Sequence, residues 1–137
     1  MEASRARAVL ARTPALEAGH LRELLDAAGG EPERALGARV TQRCPLPGAA
    51  QQFLAAPDGA AIDADLAWLA ASATRILLAT DPDYPPLLLQ SGTAPAALYV
   101  QGAVEALSAP QLAMVGSRSP TAAGRATARE FAAWFAG

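Results

Sequence analysis

Apolar residues in the first half of the chain recur at helical spacing and are interrupted at short intervals by glycine and proline. Residues 1–12 predict a short helix whose arginines face water. A second helix is expected to begin with Thr13 as N-cap and Pro14 in its first position, and to end at Gly29-Gly30. Further short helices are predicted over residues 31–36, 49–56 and 62–73. The pattern therefore predicts a compact bundle of short helices.

The pattern changes at Arg75, where shorter apolar runs separated by proline-rich turns replace the helical stripes. Residues 76–79 and 96–102 predict two β-strands, and the prolines within residues 81–86 predict a turn between them. Residues 111–115 are apolar without alternation, which is typical of a strand covered on both faces. These runs predict a small sheet in the second half of the chain.

A helix is predicted after this third strand, with Ser119 as its N-cap and Pro120 as its first residue. In that helix, Ala128, Phe131 and Phe135 are expected to face the sheet. A strand followed directly by a helix is the building unit of α/β domains, in which several parallel strands cover each helix.

The fold class expected from these patterns is α/β. A small helical domain over residues 1–73 is followed, over residues 74–137, by the beginning of a parallel-sheet domain. No strand follows the last predicted helix, so we expect the chain to be an N-terminal fragment with a truncated sheet.

Composition and charge narrow the possible functions. The formal net charge of −2 gives no support to non-specific coating of nucleic acid, which normally needs a basic excess. The chain has one cysteine and therefore no intrachain disulfide, and no apolar run reaches the length of a signal peptide core or a membrane span. A cytoplasmic location is therefore predicted. The basic residues are all arginines, and they cluster near both ends of the chain: Arg5, Arg7 and Arg12, then Arg118, Arg125 and Arg129.

The loop between the third predicted strand and the last helix is the strongest candidate site. Gly116 would let the chain turn sharply, and Gly124 would let the helix approach a strand or ligand closely. The helix N-terminus and the mobile charge of Arg118 both favour a phosphate group. Ser117, Ser119 and Thr121 offer hydroxyls, and the N–H groups within residues 119–123 would point into the same space.

Two interpretations of this loop remain open on the motif alone. It is either a phosphate-binding turn or an ordinary strand-to-helix turn with a solvated arginine. The pattern is neither G-x-G-x-x-G nor a Walker loop, which argues against a nicotinamide or flavin site, and no cofactor is expected.

Other residues that could carry chemistry are predicted to have structural roles, so neither a catalytic nor a metal site is expected. His20 is expected to be a surface or capping residue and Cys44 a packed or loop thiol. Asp81 and Asp83 are expected to form a turn. Trp68 and Trp134 are expected to pack in or beside the core rather than to serve as base-stacking platforms.

Three blocks of sequence occur in order in the second half of the chain: Asp81-x-x-Tyr84-Pro85-x-x-Leu88, Ala94-Pro95-x-x-Leu98-Tyr99-x-x-Gly102, and Ala113-Met114-Val115-Gly116-Ser117-Arg118 with Gly124. Taken together, they resemble the DNA-processing protein A family (DprA, or Smf) over about residues 75–137. The helical half fits the variable N-terminal domain of that family, which is often SAM-like. The second half matches the entry into the family's extended Rossmann-like domain.

The resemblance implies a bacterial cytosolic protein of natural transformation and competence. Members of the family bind and protect incoming single-stranded DNA, help to load the RecA recombinase, act as dimers and are not enzymes in the usual sense. It implies that Arg118 contacts DNA phosphate and that Gly116, Ser117, Ser119 and Gly124 belong to the same turn. The family's Ser-Gly-x-Ala-x-Gly-Ile-Asp block would follow residue 137.

Two alternatives come from other classes of protein. The first is a Rossmann-like enzyme that binds nucleotides or sugar phosphates, for example a phosphoribohydrolase. The second is that the helical half is a protein-interaction module with no role in nucleic-acid binding.

Overall fold

The computed structural model describes residues 2–137; Met1, the first residue of the predicted helix over residues 1–12, lies outside them. Helices alone fill the first half of the described residues, and helices alternate with two strands in the second half, which agrees broadly with the sequence pattern. The elements are α1 (Glu2–Arg12), α2 (Ala18–Ala27), α3 (Pro32–Ala35), α4 (Ala38–Thr41), α5 (Gly48–Ala55), α6 (Gly59–Ser72), β1 (Thr74–Leu78), α7 (Pro86–Leu89), β2 (Ala97–Gln101), a 3-10 helix (Val104–Ser108) and α8 (Ala122–Ala136).

The start of α2 differs from the prediction. The Thr13 hydroxyl donates to the Val9 carbonyl at 2.8 Å, so Thr13 closes α1 instead of opening the next helix. Glu17 is the N-cap of α2 and forms a reciprocal capping box with His20, whose Nδ1 accepts the Glu17 N–H at 3.3 Å. The capping role predicted for His20 is therefore confirmed.

Long-range pairing explains why the Thr-Pro signal fails. The Ala18 N–H donates to the Ala94 carbonyl at 2.8 Å, and the Ala96 N–H donates to the Leu16 carbonyl at 3.1 Å. These bonds hold the segment before α2 extended, next to a segment almost eighty residues away in sequence. These two backbone hydrogen bonds outweigh the local preference of Thr13-Pro14 to begin a helix.

One hydrophobic core links the helices with the sheet. Its members come from α1 and α2, from α6 and from β1, and it continues to Val104 in the 3-10 helix. The largest completely buried side chains are Leu10, Leu21, Leu24, Ile62 and Leu78. The core joins residues on both sides of the predicted domain boundary at residues 73 and 74, and that boundary stays a prediction.

The arginines of α1 do not simply face water, as the sequence pattern predicted. Each of three arginines forms an ion pair with an aspartate on another element. Two of these aspartates lie on α6 and one lies directly after β1, so the pairs tie α1 to both neighbours. The pairs are Arg5 with Asp63, Arg12 with Asp65 and Arg7 with Asp81.

The first two sequence blocks of the second half pack against each other. Tyr84 is buried, and its hydroxyl donates to the Pro95 carbonyl at 2.7 Å. The Asp81 carboxylate accepts the Leu78 N–H at 2.8 Å and so closes the turn after β1. The turn role predicted for Asp81 is therefore confirmed.

The sheet confirms the mixed helix-and-strand class but differs from the predicted parallel arrangement. In residues 2–137, β1 and β2 form a two-stranded antiparallel sheet, with register from Thr74 opposite Gln101 to Leu78 opposite Ala97. The connection between them, residues 79–96, contains only the single turn of α7, whereas the crossover between parallel strands usually holds a full helix.

The predicted third strand and its sheet contacts are absent from the described residues. Residues 111–115 have no regular secondary structure and pair with no strand, and every residue from Ser108 to Gly137 is exposed. Helix α8 forms as predicted, but Phe131 and Phe135 stack on each other at 6.4 Å between ring centroids instead of facing the sheet. The two-stranded sheet offers them no surface, so this part of the prediction was wrong.

Candidate anion-binding site

The loop before α8 holds its shape through two hydroxyl side chains. Thr121 Oγ1 accepts the Gly124 N–H at 3.1 Å, and Ser117 Oγ accepts the Ser119 N–H at 3.2 Å. Thr121 is therefore the N-cap, and the prediction that Ser119 caps the helix with Pro120 as its first residue was wrong. The backbone of Thr121 is still extended (φ −65°, ψ 162°), so the helix begins after it, at Ala122.

An open cavity of ≈ 640 Å³ lies between this loop and the first turns of α8. Four of the five predicted site residues line it, namely Gly116, Ser117, Ser119 and Gly124. Arg118 does not line the cavity, although it is exposed within the same loop. The four predicted turn residues therefore line one cavity, and the predicted cation, Arg118, does not line it.

Arg125 lines the cavity and was not chosen as a site residue from the sequence. Its backbone N–H donates to the Thr121 carbonyl at 3.0 Å, which places it at the end of the first helical turn. The sequence feature that could have identified Arg125 as a site residue is its position four residues after Thr121. Arg118, Arg125 and Arg129 take part in no ion pair among residues 2–137, unlike the arginines of α1.

The N-terminal end of α8 adds partial positive charge beside this cavity. The N–H groups of Ala122 and Ala123 belong to the first turn and have no intrahelical acceptor. The helix dipole favours an anion here by about 0.3–1 kcal/mol at an exposed site. Together with the free arginines, this arrangement suits a phosphate group.

The two glycines of the site differ in what the structure requires of them. A Cβ atom on Gly124 would lie 3.3 Å from Thr121 Oγ1, so glycine leaves room for the cap rather than for a neighbouring strand. Gly116 is not among the glycines with positive φ, and a Cβ there would meet no atom within 4 Å. The sharp glycine turn predicted at Gly116 is therefore not observed.

The remaining candidate residues have structural positions. Cys44 is buried, and burial raises the pKa of its thiol, which disfavours the reactive thiolate. Over residues 2–137, no group of three or more His, Cys, Asp or Glu side chains could hold a metal ion. None of the helices in the described part of the chain combines the length and apolar character needed to cross a membrane.

Comparison with known proteins finds a family model and a curated relative. The family model described as DNA recombination-mediator protein A matches residues 75–137. Protein Smf of Escherichia coli (strain K12) is 41% identical over 70 residues, which cover 51% of this chain and 18% of the relative. The chain thus spans less than a fifth of that relative's length, and no solved structure gives a significant match. The family model and the identity with Protein Smf show that residues 75–137 are similar to the DNA recombination-mediator protein A (DprA/Smf) family.

Proposed function

We propose that this chain binds single-stranded DNA as part of a recombination mediator, and that the loop before α8 contacts the DNA phosphates. The observation that carries the proposal is the group of free arginines at the N-terminus of α8, inside the segment that matches the family. The arginines of α1 pair with aspartates and are therefore less available to a phosphate than the arginines of this loop.

Different residues of the loop have different proposed roles, one set shaping the turn and the other contacting the phosphate. Ser117 and Thr121 direct their hydroxyl oxygens to backbone N–H groups, so they shape the turn. We assign the anion contact to Arg125, which lines the cavity beside the N-terminus of α8, and to Arg118, which adds a charge from the loop itself. The bound group is a phosphate of the DNA backbone, which these donors recognise without reading the base.

The wider role is proposed from the family. We infer that the complete protein protects incoming single-stranded DNA in the cytoplasm during natural transformation, loads the RecA recombinase onto it, acts as a homodimer and is not an enzyme. The helical half would be the SAM-like domain. Residues 111–115 would join a Rossmann-like parallel sheet where further strands are present.

The test is the affinity of the chain for a labelled oligothymidylate, measured by fluorescence anisotropy over a range of salt concentrations. Affinity should fall with rising salt, because phosphate contacts release counterions. Arg118→Ala should weaken binding about 5-fold for every sequence and reduce the slope against log salt by about 0.7.

Arg22→Ala is the matched control, because Arg22 is an exposed arginine on α2, far from the loop in sequence. It should leave both affinity and slope unchanged. Equal losses for the two variants, or no loss for Arg118→Ala, would show that the loop is not the phosphate contact.

A further inference from the structure

Two aromatic side chains from different halves of the chain meet on the surface. Trp68 on α6 is 51% exposed and Tyr99 on β2 is 42% exposed, with ring centroids 6.1 Å apart and ring planes inclined by 59°. The sequence pattern predicted that Trp68 packs in or beside the core, but half of it reaches solvent. Within residues 2–107, Trp68 and Tyr99 are the large aromatic residues with exposed side chains, and they lie next to each other.

An ion pair forms the wall beside these rings. Arg12 and Asp65, together with Trp68, Tyr99 and Ala11, line an open cavity of ≈ 440 Å³, called the aromatic cleft below. Arg12 Nη1 donates to both carboxylate oxygens of Asp65, at 2.9 and 2.8 Å. The Nε and Nη2 groups of Arg12 donate to no atom of the described residues and remain open to a ligand.

The cleft is suited to a flat, neutral ligand with polar edges. Its ion pair carries no net charge, so it attracts a phosphate less than the loop before α8 does. The free N–H groups of Arg12 can donate to acceptors on the edge of a base, and the oxygens of Asp65 can accept hydrogen bonds from donors on that edge. The exposed rings offer the stacking surface that proteins use to hold unpaired bases regardless of sequence.

We propose that the aromatic cleft binds a nucleobase of single-stranded DNA, which stacks on Trp68 and Tyr99 with its edge towards Arg12 and Asp65. This inference rests on the proposed function and adds a base contact to its phosphate contact. It also gives the helical half of the chain a part in DNA binding, because Trp68, Asp65 and Arg12 all belong to that half.

The experiment uses the chain with Trp134→Phe, which leaves Trp68 as its only tryptophan and therefore its only indole emission. The protein is titrated with an oligothymidylate and with an abasic oligonucleotide of equal length, which keeps the phosphates and lacks the bases. Oligothymidylate should quench the emission of Trp68, and the abasic strand should not. Equal quenching by both strands, or quenching by neither, would overturn the proposal.

Affinity measurements on variants give an independent check. Trp68→Leu should weaken binding of oligothymidylate about 10-fold and leave binding of the abasic strand unchanged, since stacking on an aromatic residue strengthens binding by about that factor or more. Tyr99→Phe keeps the ring and should bind normally, whereas Tyr99→Val should bind oligothymidylate more weakly. Equal losses for the two strands with Trp68→Leu would contradict a base contact.

The two proposals fail in different ways. Arg118→Ala should weaken both strands equally, because both carry phosphates. Quenching of Trp68 that persists while Arg118→Ala binds normally would reject the phosphate loop and retain the cleft. Loss of binding in Arg118→Ala without any quenching by oligothymidylate in the parent would retain the loop and reject the cleft. Failure of both strands to bind would reject both.

Discussion

Asp81 joins the helical half to the sheet, and its removal is expected to destabilise the whole fold. Its carboxylate accepts the Leu78 N–H at 2.8 Å and pairs with Arg7 of α1, whose Nη2 also donates to the Ile76 carbonyl at 2.8 Å. The side chains of Arg7 and Asp81 are only 28% and 22% exposed. Asp81→Ala therefore breaks an ion pair and leaves a backbone N–H without its acceptor.

The cost can be bounded from these contacts. A hydrogen bond to a charged group contributes about 1.5–3 kcal/mol, and a fully exposed ion pair contributes about 0–1 kcal/mol. Because the pair is partly exposed, we expect Asp81→Ala to lower the free energy of unfolding by about 2 kcal/mol. For a chain of this size that corresponds to a fall in Tm of roughly 8 °C. Asp81→Asn should cost about half as much, since its amide oxygen can still accept the Leu78 N–H.

Thermal melts followed by circular dichroism provide the assay, with Asp63→Ala as the matched control. Asp63 also pairs with an arginine of α1, but the side chains of Arg5 and Asp63 are 45% and 66% exposed. That variant should change stability by less than about 1 kcal/mol. Falls in Tm that agree within about 2 °C for the two alanine variants would refute the reasoning, because burial and the Leu78 contact would then have no effect.

The other predictions concern the cap of α8 and the alkaline limit of stability. Thr121→Ala should destabilise the first turn of α8 by about 1 kcal/mol and speed hydrogen exchange there, whereas Ser119→Ala should leave exchange in α8 unchanged. Equal effects of these variants would contradict the observed cap. Burial raises the pKa of Tyr84, so its contribution to stability is complete below about pH 10 and is lost as pH rises through the higher folded pKa. Tyr84→Phe should therefore reduce the fall in Tm between about pH 9 and pH 11, while Cys44 and Tyr99, whose pKa values burial also raises, account for the rest.

Local sequence signals predicted the elements that local interactions determine. The short helices, the turn at Asp81 and the helix over most of residues 122–136 follow from apolar spacing, proline and capping residues within a few positions of each other. Where long-range contacts decide the structure, the predictions failed. Thr13 looks like an N-cap, but the hydrogen bonds from Ala18 and Ala96 to distant partners set the start of α2.

The candidate site shows the same division. The loop around Ser117 and the following helix could be predicted, because the polar loop and the capping residues are adjacent in sequence, whereas the strand predicted before them is not observed. The structure shows Thr121 as the cap, because its Oγ1 accepts the Gly124 N–H, and the sequence pattern does not distinguish it from Ser119. The pairing of Arg12 with Asp65, and the meeting of Trp68 with Tyr99, bring together residues more than thirty positions apart, which periodicity alone cannot reveal.

The ion pairs between α1 and its neighbours also affect what ionic strength does to this molecule. Added electrolyte shortens the Debye length to about 3 Å at 1 M and so weakens exposed attractions such as that of Arg5 with Asp63. The same electrolyte competes with any DNA phosphate bound at the loop. We therefore expect salt to weaken both the exposed ion pairs of α1 and the proposed phosphate contact, so a count of phosphates from a salt titration is correct only after the salt dependence of folding has been subtracted.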